Sequence, residues 1–410
     1  MTTIQDVITV EGRGAFFHDD QMAIRGGREK DGFLYAGDPV TDGFEQVRMP
    51  VPALGIGLVL SNGEIVWGDA LAVQYAGASG REPVPTHRSL KNEIGGVWRE
   101  ALVGASLDHF STLCDRVSSI NAGAATRYGC SQALLRAVAT NKRRTATEVI
   151  CEEFDLPLPT GPCALYAQSG DDRHTAVDKM VLKGVDILPH GLINSAEKFG
   201  PQGETFLEFV RYVASRVKRL GTESYKPRLH FDVYGWIGLG ISENPTLVAE
   251  FIAQAQKAAH PFDLHIECPV DYGSTAAQID GYAKIVTALE RLGCTARIVA
   301  DEHCNSIEDM RAFATARAAH IIQIKMPDVG LISDTIKAAL HCRAEGAGVY
   351  VGGSCTETDL SAQLSADVAL AVGAEMLLAK PGMGMDEGLT IVGNAQLRTL
   401  AEISHRGTHS

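Results

Sequence analysis

Between Arg228 and Lys325 the chain reads RLHFD (228–232), DLHIE (263–267), RIVAD (297–301) and IIQIK (321–325), four short apolar runs that each finish on a charged side chain. Asp232, Glu267 and Asp301 are spaced by 35 and then 34 residues, and Lys325 follows 24 later. One strand plus one helix per repeat gives such a period, and consecutive parallel strands then lie side by side with their ends on one rim. Three carboxylates and an amine therefore converge. Hard oxygen donors with no cysteine or clustered histidine beside them predict Mg2+ rather than zinc, with Mn2+ also accommodated.

The pattern continues outward in both directions. Eight short apolar runs, most followed by a helical stretch, end at Gln168, His190, Asp232, Glu267, Asp301, Lys325, Cys355 and Gly382. Eight βα units predict a TIM-type (β/α)8 barrel whose polar strand ends share the C-terminal face, where such barrels carry their chemistry. Upstream, LGIGLVL (54–60) and EIVWGDALAV (64–73) flank Ser61-Asn62-Gly63 and predict a hairpin. From about residue 91 to 153 apolar positions recur every three or four residues, as in helices. FDLPLPTGP (154–162), with three prolines, then interrupts all regular structure. The expected organisation is an N-terminal α+β capping domain over 1–157 and a barrel over 158–410.

Composition narrows the partners. The net charge of −13, with lysine and arginine scattered, leaves no basic stripe for nucleic acid and no polybasic surface for a membrane. A small molecule is the expected partner. Nine cysteines without a CxxC pair predict reduced thiols and a cytoplasmic protein. The opening MTTIQDVITVEG lacks a basic start and apolar core, and no 18-residue uncharged apolar run follows, so a soluble, unexported chain is expected.

A single aspartate at a strand end is usually a helix cap; three on consecutive strands reverse that reading. Lys325 shares a strand face with Gln323. Partly desolvated and near a divalent cation, its ammonium form is disfavoured, so it suits a base that removes a proton beside a carboxylate. The enolate dianion so formed needs fixed positive charge, and a Lys base with Mg2+ is the pairing used in the enolase superfamily.

The resemblance then becomes specific. AQSGDDR (167–173), DKMVLKGVDILPHGLIN (178–194), HFDVYGWIGL (230–239), IECPVD (266–271), IVADEHCN (298–305), QIKMPDVG (323–330), GGSCTETD (352–359) and KPGMGMDEGL (380–389) together resemble the methylaspartate ammonia-lyases. DDQMAI, DGFLYAGDPVTDGF and AVQYAGASGREP extend the resemblance upstream, from about residue 10 to residue 400. It implies elimination of ammonia from L-threo-3-methylaspartate to give mesaconate, with Mg2+ and a monovalent cation such as K+, in a homodimer that serves glutamate breakdown. Carried across, Asp232, Glu267 and Asp301 hold the metal, and Lys325 takes the C3 proton. His190 holds the metal-side carboxylate and can serve as a second base for the epimeric substrate. Gln323 joins His190 there, while Gln74, Gln168 and the N–H groups around Ser354 and Cys355 hold the other carboxylate; amides donate to it without titrating near neutrality.

Three positions depart from the family pattern. Ser354 replaces threonine, His303 stands where tryptophan is usual, and Tyr166 stands where phenylalanine is expected to line the amine and alkyl side of the pocket. The last two put the preferred substituent and amine in question. Other features carry less. GWIGLG (235–240) is not a dinucleotide fingerprint, the glycines of KPGMGMDEG suit a rim turn, and Cys355 has no evident base to make it a nucleophile. The competing enzyme reading is another Mg2+-dependent branch of the enolase superfamily, a dehydratase, cycloisomerase or epimerase. Many of those place a KxK pair at the second barrel strand, where this chain has His190, with Lys179 and Lys183 upstream and three residues between them. A non-catalytic metal-binding barrel is a poorer fit, since all four key positions keep competent residues.

Overall fold

The computed structural model describes residues 2–408. Eight parallel strands, Ala164–Tyr166, Ile187–His190, Arg228–Asp232, Leu264–Glu267, Arg297–Ala300, Ile321–Ile324, Gly348–Val351 and Met376–Leu378, form a closed barrel. Each pairs with its neighbours in chain order and the eighth with the first. Helices alternate with them because their apolar residues return every three or four positions: Phe206, Phe209, Val210, Val213 and Val217 form the buried face of Glu204–Leu220. The barrel interior is packed by Tyr166, Ile187, Val299, Ile321, Tyr350, Met376 and Leu378. The expected TIM-type barrel is the observed one.

Two strand ends fall four residues earlier than the sequence suggested. GVYVGGSC leaves the sheet after Val351 and EMLLAKPG after Leu378. Gly353, at φ +134°, turns the chain where a Cβ would strike the side chains of Glu357 and Lys380, and a Cβ on Gly352 would strike Gln323. Ser354 and Cys355 therefore lie in a rim turn, not on a strand.

The N-terminal domain is built on a three-stranded antiparallel sheet, with Arg48–Leu60 between Ile4–Asp19 and Ile65–Ala70. The hairpin is where the Asn-Gly signal put it, Gly63 taking φ +89°. The 16-residue strand Ile4–Asp19 carried no comparable signal, because EGRG interrupts its alternation and much of its length is exposed. Helices His87–Glu93, Phe110–Ser118, Ala124–Lys142 and Ala146–Glu153 follow. Ala124–Lys142 is buried almost all round, because one side meets the sheet and another the loop after the seventh barrel strand. Tyr128 Oη donates to Glu357 Oε2 at 3.0 Å, and Arg136 Nη2 to the Leu360 carbonyl at 2.7 Å. No helix or strand spans 154–163. All nine cysteines are free thiols. Among the described residues no helix is long and apolar enough to cross a membrane.

Candidate active site

Asp232 and Glu267 are paired in register as the last residues of the third and fourth strands, and Asp301 directly follows the fifth. One oxygen from each lies within 4.8 Å of the others, and all three side chains are buried. Burial raises the pKa of each carboxyl, and for Asp232 and Glu267 the charge of a neighbouring ligand carboxylate raises it further. Three buried like charges on hard oxygens fit a divalent cation such as Mg2+. Glu267 is further oriented: His230 Nε2 is hydrogen-bonded to Oε2 at 2.7 Å and Gln323 Nε2 donates to Oε1 at 2.5 Å. His230 precedes Asp232 by two residues on one strand, so both side chains point into the barrel.

Lys325 follows the sixth strand, with Nζ 2.7 Å from Asp301 Oδ1 and 2.8 Å from Oδ2. Burial lowers the basicity of the amine, but the carboxylates of Asp301, Glu302 and Asp328 together outweigh it and the pKa is raised. The free amine expected near neutrality is conditional on a cation that takes up the charge of Asp301. His190 ends the second strand, which stands across the closed barrel from the sixth. Burial, and then the charge of Lys325, push the imidazole down to about 3, so it is neutral. Its Nδ1 accepts the Leu192 N–H at 3.3 Å, which leaves the proton on Nε2, 3.6 Å from Asp232 Oδ2.

The amides arrive from both domains. Gln74 reaches from the N-terminal domain: its backbone N–H donates to Ser354 Oγ at 2.9 Å and its Nε2 to Asp19 Oδ2 at 2.8 Å. Its Oε1 accepts from Cys355 Sγ at 3.1 Å. Gln168 lies two residues past the first strand, and its Oε1 is buried without a hydrogen-bond partner. The Ser354 N–H donates to Glu357 Oε1 at 3.4 Å, so that group is partly committed within the protein. Burial pushes the Cys355 thiol far above its ordinary pKa, the opposite of an activated nucleophile.

All ten residues singled out from the sequence line one cavity of about 50 Å³, room for only a handful of water molecules and so for a small ligand. Val73, Tyr75, Arg81, Tyr234, Glu302, Tyr350, Gly353, Leu378 and Met383 complete the wall and were not foreseen. Glu302 adjoins a predicted ligand, and Val73, Tyr75, Arg81, Tyr234, Gly353 and Met383 lie in quoted motifs, but no residue pattern singled them out.

Models of the methylaspartate ammonia-lyase N-terminus and C-terminus match residues 2–155 and 157–405. The chain belongs to the methylaspartate ammonia-lyase family. It is 45% identical to methylaspartate ammonia-lyase 1 of Carboxydothermus hydrogenoformans over 97% of this chain and 96% of that protein. The crystal structure of the Citrobacter amalonaticus methylaspartate ammonia-lyase containing (2S,3S)-3-methylaspartic acid superposes with TM-score 0.96 at 43% identity, covering 98% of this chain and 100% of the other. The Mg complex of the Clostridium tetanomorphum β-methylaspartase gives 0.93 at 39% identity, over 98% and 100% of the two chains. A muconate lactonizing enzyme from Pseudomonas fluorescens, at 17% identity and TM-score 0.63 over 97% and 89%, shares the fold alone.

Two expected departures from the methylaspartate ammonia-lyase pattern lie elsewhere than expected. Tyr166 does not line the cavity: its ring stacks 4.2 Å from that of His230 inside the barrel, and its buried hydroxyl has no hydrogen-bond partner. His303 lies outside the cavity too. Its Nε2 is 3.0 Å from Asp271 Oδ1, whose other oxygen pairs with Arg25 Nη1 at 3.2 Å. Asp271 holds the imidazole pKa up, by hydrogen bond first, against burial. A short polar side chain at 303 thus joins a rim ion pair, where a tryptophan would pack.

Proposed function

We propose that this protein eliminates ammonia from L-threo-3-methylaspartate to give mesaconate. The reading rests on one observation above others: the Asp232, Glu267, Asp301 and Lys325 constellation sits, with His190 opposite, in a single small cavity of a chain related along its whole length to methylaspartate ammonia-lyases.

Lys325 is the base for the C3 proton. Its Nζ accepts that proton, the C3–H electron pair moves into the adjoining carboxylate as an enolate, then forms the C2–C3 double bond as the C2–N bond breaks and its electron pair leaves with ammonia. A Mg2+ ion held by Asp232, Glu267 and Asp301, with Mn2+ as a substitute, supplies the positive charge the reacting carboxylate needs and draws Asp301's charge away from Lys325. His190, neutral and with Nε2–H facing the site, donates to the same carboxylate together with Gln323. To serve from across the barrel as a base on the epimeric substrate, it must first carry its proton on Nδ1 and give up the bond from the Leu192 N–H. Gln74, Gln168 and the turn at Ser354 and Cys355 hold the second carboxylate. That requires Gln74 to exchange its bond to Asp19, and the Ser354 N–H its long bond to Glu357, for the ligand.

A monovalent cation such as K+, a homodimeric assembly, a cytoplasmic location, a role in glutamate breakdown and a domain division at 157/158 belong to the same reading. The division is supported by the two family matches, which meet at 155 and 157. The test is the ultraviolet absorbance of mesaconate when the purified protein meets L-threo-3-methylaspartate with Mg2+ and K+, beside a chelator control. Metal-dependent product is expected; silence from folded, metal-loaded protein sinks the reading.

A further inference from the structure

Arg81 is a charged group on the cavity wall that the chemistry above leaves unused. It belongs to the N-terminal loop that also carries Gln74, yet its side chain is only 1% exposed, sunk into the barrel rim. Nε donates to Asp328 Oδ2 at 2.9 Å and Nη1 to Glu302 Oε2 at 3.2 Å. Nη2 lies 3.9 Å from Asp301 Oδ1, buried and without a hydrogen-bond partner. Glu302 directly follows Asp301, and Asp328 comes three residues after Lys325. The wall therefore gathers four carboxylates, those of Asp232, Glu267, Asp301 and Glu302, and a fifth, that of Asp328, pairs with Arg81 outside it, against the two cations Lys325 and Arg81. A divalent cation alone leaves such a set of groups net negative, which opposes an anionic ligand.

We propose that Arg81 is a positioning residue that sets the charge of this wall: by offsetting part of the charge of Glu302 and Asp328 it allows a dicarboxylate to bind beside the three metal-ligand carboxylates. Because it comes from the N-terminal domain, the site reaches its working charge only with that loop docked. The loop is tied down independently, by Asn305 Nδ2 donating to the Ser79 carbonyl at 2.7 Å and by the Ala124 N–H donating to Glu82 Oε2 at 2.8 Å. The planar guanidinium reaches two carboxylates at once and keeps its charge at any working pH. This inference rests on the reading of the substrate as an amino dicarboxylate.

A purely structural role and a charge role predict different signs. If Arg81 only holds the loop, its loss loosens everything in the site. If it balances charge, its loss deepens the negative potential, which favours a metal cation and disfavours an anion. The experiment compares wild type, Arg81→Met, Arg81→Gln and Arg81→Lys. Mn2+ affinity is followed by the electron paramagnetic resonance of free Mn2+, mesaconate affinity by calorimetry in Mn2+, and KM and kcat with L-threo-3-methylaspartate.

Arg81→Met is expected to bind Mn2+ at least as tightly as wild type while mesaconate affinity and kcat/KM fall about tenfold or more. Arg81→Lys should recover most of that loss. Weaker Mn2+ binding in Arg81→Met, unchanged mesaconate affinity and kinetics, or a lysine variant as impaired as the neutral ones, overturns the proposal. If Arg81→Met fails to fold by circular dichroism, Arg81→Gln takes its place against Arg81→Lys. Should the wild type neither bind mesaconate nor turn over, the substrate reading fails by itself. The Mn2+ ordering then decides this one: tighter binding in the neutral variant upholds the charge role, and any other result overturns it.

Discussion

Both oxygens of the Asp301 carboxylate lie against Lys325 Nζ, at 2.7 and 2.8 Å. The pair joins a metal-ligand carboxylate to the proposed base across neighbouring strands, so one carboxylate serves two functions. Its charge raises the basicity of the amine, and a cation on Asp301 competes for that charge.

Replacement of the base separates those functions. Lys325→Ala should lower kcat by about two to four orders of magnitude, the range ascribed to a positioned proton acceptor, while Mn2+ binding persists. Mesaconate absorbance and Mn2+ titration on the same sample check it; activity near the wild-type value removes Lys325 from the mechanism.

The three buried carboxylates repel one another, so the metal-free fold gains from losing one. Asp232→Asn, which keeps an acceptor for the Tyr234 N–H, should melt no lower than wild type in chelator. Its gain on adding Mg2+ should shrink well below the ~2.7 kcal/mol that a ligand at a hundred times its Kd contributes. Thermal melts with and without Mg2+ measure both. An unchanged Mg2+ response argues against Asp232 as a ligand.

Tyr166 carries a buried hydroxyl without a partner. An unsatisfied polar group of this kind costs about 1–3 kcal/mol, so Tyr166→Phe should raise stability by roughly 1 kcal/mol. Because the ring lies outside the cavity wall, relative turnover of aspartate, 3-methylaspartate and 3-ethylaspartate should stay as in wild type. A changed profile would show that the hydroxyl reaches the substrate after all.

Glu148 fastens the C-terminal helix Met385–Gly407 to the N-terminal domain through Arg406, whose Nη2 lies 2.6 Å from Oε2 and Nε 3.0 Å from Oε1. Burial pushes its pKa up, but the Arg406 hydrogen bond and those from Thr145 and Arg144 outweigh this and bring it from 4.5 to about 2. A depressed folded-state value means stabilisation in full above pH 4.5 and lost progressively as pH falls toward 2. The stability gap between wild type and Glu148→Gln should therefore be widest at neutral pH and close on acidification. Melts between pH 7 and pH 2 test this; a gap that widens in acid contradicts the sign.

Much of the site was readable from single strands. Asp232, Glu267 and Lys325 announce themselves because an apolar run followed by a charge marks where a buried strand meets the rim. His303 and Tyr166 were misplaced because a position's neighbours across the barrel leave no trace in its own local pattern. Ile4–Asp19 escaped notice for a related reason: an edge strand with one exposed face has weak alternation, and its identity depends on the partner Arg48–Leu60.

By itself, the sequence determined the barrel, its period and the residues able to bind a cation and move a proton, because burial alternation along a chain records strand and helix locally. Only the tertiary structure decided how those groups are tuned. The contacts of Arg81 with Glu302 and Asp328 join residues 221 and 247 positions apart; Gln74 meets Ser354 across 280. Such pairings arise when two folded surfaces dock and water leaves between them, and no local pattern of residues encodes which surfaces those are.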